Sequence, residues 1–148
     1  DEQAKAMTEF QALLKKRPRD SALLCDAGYS HYNRGQWPEA EALLKRAVAA
    51  DKGNKRAWNN LGLALAMQGK EREAVEAFGK AVSPAEAHAN LGFCLAVQGK
   101  REDAKAQYRR ALELEPALRT AQQALARLDA PAEARTGAVG TTLPPDVR

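Results

Sequence analysis

The sequence predicts an all-α protein built as a right-handed α-solenoid of stacked helical hairpins, and three observations carry that prediction. The first is composition. Hydrophobic residues make up 45% of the 148 residues but aromatics only 5%, and alanine dominates the apolar set, which suits closely packed helices better than strands. The second is a fixed period, the signature of a repeat architecture. Gly28 and Gly62 lie 34 residues apart, as do Gly35 and Gly69, and a third copy of each follows 30 residues later at Gly92 and Gly99. The third is local. Within each unit, apolar residues recur at three- and four-residue spacings on both sides of a central glycine, the pattern of two amphipathic helices joined by a tight turn.

From the N-terminus, residues 1–16 read as a single helix. Ala6, Phe10 and Leu13 share the register of Ala40, Leu44 and Ala47, so this helix is the second half of an incomplete leading repeat, and part of its face carrying Met7, Phe10 and Leu14 is expected to lie uncovered. The first full repeat, 21–54, carries Leu24, Ala27 and Gly28, turns at Arg34-Gly35-Gln36, and continues through Ala40 and Leu44. The second, 55–84, has Trp58, Leu61 and Gly62, a turn at Gln68-Gly69-Lys70, then Ala74 and Phe78. It is four residues short, and the shortening is expected in the connection between Ala81 and Glu86. There Ser83-Pro84-Ala85-Glu86 reads as a helix start, with Ser83 as N-cap, Pro84 at the first helical position and Glu86 closing a capping box. So tight a connection should change the angle between the second and third repeats. The third repeat, 85–116, has His88, Leu91 and Gly92, a turn at Gln98-Gly99-Lys100, and then Ala104, Tyr108 and Pro116. Residues 117–129 form a closing helix. The remainder, 130–148, has prolines, glycines and threonines without helical period and reads as a linker-like tail.

Trp58, Leu61 and Gly62 stand in W-x2-L-G spacing, and Ala74 and Phe78 in A-x3-F. This unit resembles the tetratricopeptide repeat. The resemblance covers residues 1–129. It implies helix pairs that cannot bury their apolar faces alone and therefore stack into an arch, with the first helix of each repeat lining a concave side. It also implies a function: a non-enzymatic scaffold that holds an extended segment of a partner polypeptide in the concave groove. Bacterial scaffolds of pilus-assembly and secretion systems with such repeats are similar too, including an alanine-rich unit with a shortened loop.

Residues at i, i+3 and i+7 share one stripe of a helix, so the inner wall follows from the register. Its rows are Asp26, Asn60 and Asn90, then Tyr29, Leu63 and Phe93, then Asn33, Met67 and Val97, with Cys25, Asn59 and Ala89 flanking. The resemblance implies that Asn60 and Asn90 grip the main chain of a bound peptide. A carboxamide offers a donor and an acceptor together, so it can pair with a peptide N–H and C=O whatever side chain the peptide carries. Selectivity then falls to Tyr29, Leu63, Met67, Phe93 and Val97, which suit a partner with apolar or aromatic anchors. A plainer reading has the asparagines capping turns or facing water, and Leu63 and Phe93 packing on neighbouring helices. The family's chaperone-binding variety clamps a terminal carboxylate with lysines and arginines. The corresponding sites here, Cys25, Tyr29, Glu86 and Asn90, offer no such set.

Other classes of function find less support. No HExxH, GxSxG, GxGxxG or P-loop occurs, so neither catalysis nor a cofactor is indicated. His31 and His88 occupy a family tyrosine and the family tryptophan position, as packing residues. Cys25 and Cys94 have neither metal-ligand nor framework spacing. The net charge of +4 is mild, although Lys15, Lys16, Arg17 and Arg19, with Lys52, Lys55 and Arg56, form a basic rim that raises nucleic acid as a lesser alternative. The stronger alternative is self-assembly through the leading helix, or through the tail if Thr142-Leu143-Pro144-Pro145 docks in a neighbour's groove. No apolar run approaches the ~20 residues of a membrane span. The chain opens on Asp1 rather than a methionine, so a longer gene product is expected, with cytoplasm and periplasm both open as its location.

Overall fold

The computed structural model describes residues 2–131, the side chain of Gln3 aside. They form eight helices and no strand: α1 (Glu2–Lys16), α2 (Ser21–Asn33), α3 (Trp37–Ala50), α4 (Lys55–Met67), α5 (Glu71–Gly79), α6 (Pro84–Val97), α7 (Arg101–Leu114) and α8 (Arg119–Asp129). Helices α2/α3, α4/α5 and α6/α7 are the three hairpins, and α1 and α8 flank them. Each hairpin turns on a glycine of positive φ, Gly35, Gly69 and Gly99, at 72°, 76° and 77°. Only glycine adopts that conformation without steric cost.

The long-range columns explain how the hairpins close. A Cβ placed on Gly62 would lie 2.5 Å from the Phe78 ring, and one on Gly28 2.7 Å from Leu44 Cγ. The first helix of each pair therefore presents bare backbone to the large apolar residue of the second. Leu44 and Phe78 are fully buried and Tyr108 nearly so, sealed by Ala40, Ala47, Ala74, Ala104 and Ala111. Adjacent first helices touch along the array, α2 with α4, α4 with α6, and α6 with α8, whereas the second helices make no comparable contact with one another. The first helices thus form the closer-packed wall.

Helix starts are specified locally. Asp20 Oδ1 accepts from Leu23 N–H at 3.0 Å and Asn54 Oδ1 from Ala57 N–H at 3.0 Å. Ser83 and Glu86 complete the capping box, with Glu86 N–H donating to Ser83 Oγ and Ser83 N–H to Glu86 Oε2. Asn54 also reaches back across the repeat boundary, its Nδ2 donating to Ser21 Oγ at 2.9 Å while Ser21 Oγ donates to Ala47 O at 2.8 Å.

Two expectations need correction. The residues missing from the second repeat do not come from its connection, because residues 80–83 match 51–54 in number. Helix α5 itself is short, 9 residues against 14 in α3 and in α7. The Ser83-Pro84 start fixes where α6 begins, so the deletion is absorbed by the preceding helix. Met7, expected on an uncovered face, is buried at 7% exposure, while Phe10 and Leu14 are half-buried and Leu13 is the exposed one.

Candidate functional site

The stripe read from the register lies on the first helices, as their mutual packing requires. Tyr29, Phe93 and Val97 are exposed at 44%, 60% and 62%. Asn33 is also exposed, and Asp26, Asn59, Leu63, Met67 and Asn90 are half-buried. Single exposed apolar residues are common on protein surfaces, but a row of them on one wall is a patch. Tyr32, which sequence reasoning passed over, extends it by stacking on Tyr29 with ring centres 6.0 Å apart.

The polar members of the stripe reach between helices. Arg56 Nη2 on α4 meets Asp26 Oδ1 on α2 at 2.7 Å. Asn60 Nδ2 on α4 points to Cys25 Sγ on α2 at 3.5 Å, and Asn90 Nδ2 on α6 to Asn59 Oδ1 on α4 at 3.4 Å. These bonds strap α2 to α4 and α4 to α6. Asn60 is accordingly buried, at 8% exposure, as are Cys25 and Ala89, which the register placed beside the wall. Its donor is directed at a sulfur, a weak acceptor. Arg56, assigned to the basic rim, is drawn inward to Asp26.

Beyond α6 the wall changes character. A cleft of about 380 Å³ opens between α6 and α8, lined by Asn90 and Phe93 on one side and Thr120, Gln123, Ala124 and Arg127 on the other. None of the α8 residues was marked from sequence. The signal was present: adding the 34-residue period to Glu86, Asn90 and Phe93 leads to Thr120, Ala124 and Arg127. Helix α8 is therefore the first helix of a further unit and prolongs the wall. A larger hollow, about 530 Å³, lies at Pro18, Arg19, Arg46, Ala49 and Ala50, and touches none of these residues.

The remaining reactive groups are quiet. Burial raises the Cys25 thiol, against the opposing pull of Arg56 and the Asn60 bond, and burial pushes Cys94 up to about 11. Both are free and buried, so neither offers a thiolate near neutrality. His31 Nδ1 lies 2.8 Å from Gln36 Oε1 and His88 Nδ1 2.8 Å from Gln107 Oε1, each bond tying a first helix to its hairpin turn or partner helix. Among the described residues no group of His, Cys, Asp and Glu is placed to hold a metal, and no helix is long and apolar enough to cross a membrane. The segment Thr142-Leu143-Pro144-Pro145 lies outside the described residues.

Stacked helical hairpins with a continuous wall of first helices define a helical-repeat solenoid. Residues 25–90 and 85–118 match models described as Tetratricopeptide repeat, and the chain belongs to that family. A TPR repeat-containing protein of Dictyostelium discoideum is 36% identical over 72 residues, which make up 49% of this chain and 27% of the relative. The chain thus spans about a quarter of that relative's length. The crystal structure of MamA is similar over 90% of this chain and 81% of its own, with 24% identity and TM-score 0.61. YrrB, described as a TPR protein with an unusual peptide-binding site, is similar over 82% of this chain and 65% of its own, with 25% identity and TM-score 0.62. Pseudomonas aeruginosa pilF matches over 86% of this chain and 60% of its own, with 20% identity and TM-score 0.60. The likenesses to MamA and pilF are of fold. Tetratricopeptide repeats are in general non-enzymatic scaffolds that bind protein or peptide partners.

Proposed function

We propose that this protein is a non-enzymatic interaction scaffold whose first-helix wall receives an extended segment of a partner polypeptide. The observation that carries the reading is the exposed apolar row of Tyr29, Phe93 and Val97 on a wall whose polar members, from α2 to α6, are engaged in helix-to-helix straps. Apolar side chains left to solvent on one wall gain free energy when covered, about 1–2 kcal/mol per well-buried anchor. The peptide-binding description of YrrB supports the same class of ligand.

The division of labour among the asparagines differs between the two. Asn60 serves chiefly to join α4 to α2, and Asn90, half-buried at the edge of the α6–α8 cleft, is the carboxamide better placed to meet a peptide main chain. A peptide-display selection on the purified chain, repeated with Asn60→Ala, with Asn90→Ala and with Tyr29→Glu plus Phe93→Glu, tests the proposal. The double charge substitution should abolish recovery of peptides, Asn90→Ala should weaken all of them by several-fold, and Asn60→Ala should act mainly on stability. Recovery of the same peptides after the Tyr29 and Phe93 changes would move the binding site off this wall.

A further inference from the structure

Three junctions join successive first helices, and only two are strapped. Arg56–Asp26 and Asn60–Cys25 close α2 to α4, and Asn90–Asn59 closes α4 to α6. At the third junction the register places Ala124 where Asn60 and Asn90 stand, and a methyl group cannot bond back to α6. Among the described residues no side-chain hydrogen bond joins α6 to α8. Helix α8 is held instead from α7, by Lys105 Nζ to Asp129 Oδ1 at 2.9 Å and by Arg101 Nη2 donating to Leu128 O. The cleft of about 380 Å³ opens at this one unstrapped junction.

Its chemistry is uneven. Phe93 and Ala124 supply apolar surface across from each other. Glu86, at one edge, already accepts the Ser83 N–H in the capping box. Arg127 occupies the register position of Tyr29, Leu63 and Phe93, lines the cleft beside Tyr108, whose hydroxyl pKa burial raises against the weaker opposing pull of this guanidinium, and makes no ion pair among the described residues. A guanidinium beside an apolar pocket is a fork for a carboxylate.

We infer that the α6–α8 cleft is the selectivity pocket of the groove, taking an apolar side chain of the partner against Phe93 and Ala124 and an adjacent carboxylate on Arg127. The inference rests on the scaffold reading above and adds the chemical class of the ligand: a peptide in which Asp or Glu neighbours Leu, Ile or Phe. It differs from a terminal-carboxylate clamp, because the cation stands on the eighth helix and the apolar anchor is part of the same pocket.

The experiment uses the full chain and two fluorescent peptides. One is the tightest display-selected sequence containing an acidic residue beside an apolar one, and the other is the same sequence with that residue changed to lysine. The expected result is that Arg127→Glu weakens the acidic peptide about tenfold and tightens the lysine peptide, with the acidic preference falling as salt is raised. Ala124→Trp, which fills the cleft, should weaken both peptides alike. Helical circular dichroism matching the wild type keeps misfolding out of the comparison, since Arg127 is exposed. If selected peptides bind and lose affinity on Tyr29→Glu plus Phe93→Glu, yet show no acidic enrichment or ignore Arg127→Glu, this inference fails and the scaffold reading stands. If no peptide is recovered, or recovery ignores the Tyr29 and Phe93 changes, both fail.

Discussion

At the scale of single residues, the most consequential side chain away from the groove is Glu41, a carboxylate buried at the repeat boundary. Burial alone would raise its pKa. Hydrogen bonds from Lys45 at 2.6 Å, Lys70 at 2.8 Å and Gln68 at 2.8 Å outweigh that cost and hold the group at about 2, below its ordinary 4.5. Two of the three donors come from the next repeat's turn, so the bond set joins α3 to the α4/α5 hairpin. A carboxyl with a lowered native pKa favours folding most above its unfolded value and loses that contribution as pH falls through the native one. Wild type should therefore exceed Glu41→Gln in stability by up to about 3 kcal/mol at neutral pH. The gap should close between roughly pH 4.5 and 2. Urea unfolding at stepped pH checks this, and a gap that stays constant down to pH 2 would contradict it. Nothing in the period marked Glu41, because its column runs Met7, Glu41, Val75 and Lys105 and has no shared chemistry. The glycine columns were legible for the opposite reason: each faces one large residue sixteen positions on, and the pairing repeats.

At the scale of helices, the caps and turns were readable because their physics is local. A Ser-Pro-Ala-Glu run specifies a helix start wherever it occurs, and a glycine after a helical period specifies a stop. What the sequence reading misplaced was the element that gives up residues when the second repeat loses four, since it put the loss in the connection rather than in α5. The fixed start of α6 and the unchanged four-residue connection leave α5 to end early, at Gly79. The same boundary has lost bulk on its outer side. His88 stands in the register of Trp58, and a cleft of about 420 Å³ lies there beside Val75, Leu91 and Gln107. Across the repeat boundary α5 packs on α6 as α3 packs on α4, and with 9 residues against 14 it offers a shorter face, so the third repeat should settle at a different angle. By crystallography, the rotation relating the α4/α5 hairpin to α6/α7 should differ from that relating α2/α3 to α4/α5 by more than the ordinary flexing of such arrays. Equal rotations would show that side-chain repacking alone absorbs the change.

At the scale of the whole molecule, stability in a stack is shared between neighbours and fades toward its ends. The groove inherits that gradient. Phe78 lies in the central hairpin, fully buried, with bare backbone at Gly62 on one side and alanines around it. Phe10, in the same column, is only half-buried, and α1 packs chiefly on α2. The far end is different, because α8 is fastened by Lys105 to Asp129 and by Arg101 to Leu128, so the two ends should open unequally. Native-state hydrogen exchange should find the amides of α4 to α7 opening only with global unfolding, those of α8 intermediate, and those of α1 least protected. Phe78→Ala should cost about 3–5 kcal/mol by denaturant titration, and Phe10→Ala much less. The order matters for function. If α8 holds while α1 frays, the α6–α8 cleft remains formed when the opposite end of the wall is loose, and a bound segment would engage there before it is ordered along Tyr29 and Tyr32. Protection in α8 that falls to the level of α1 would remove the basis for that order of engagement.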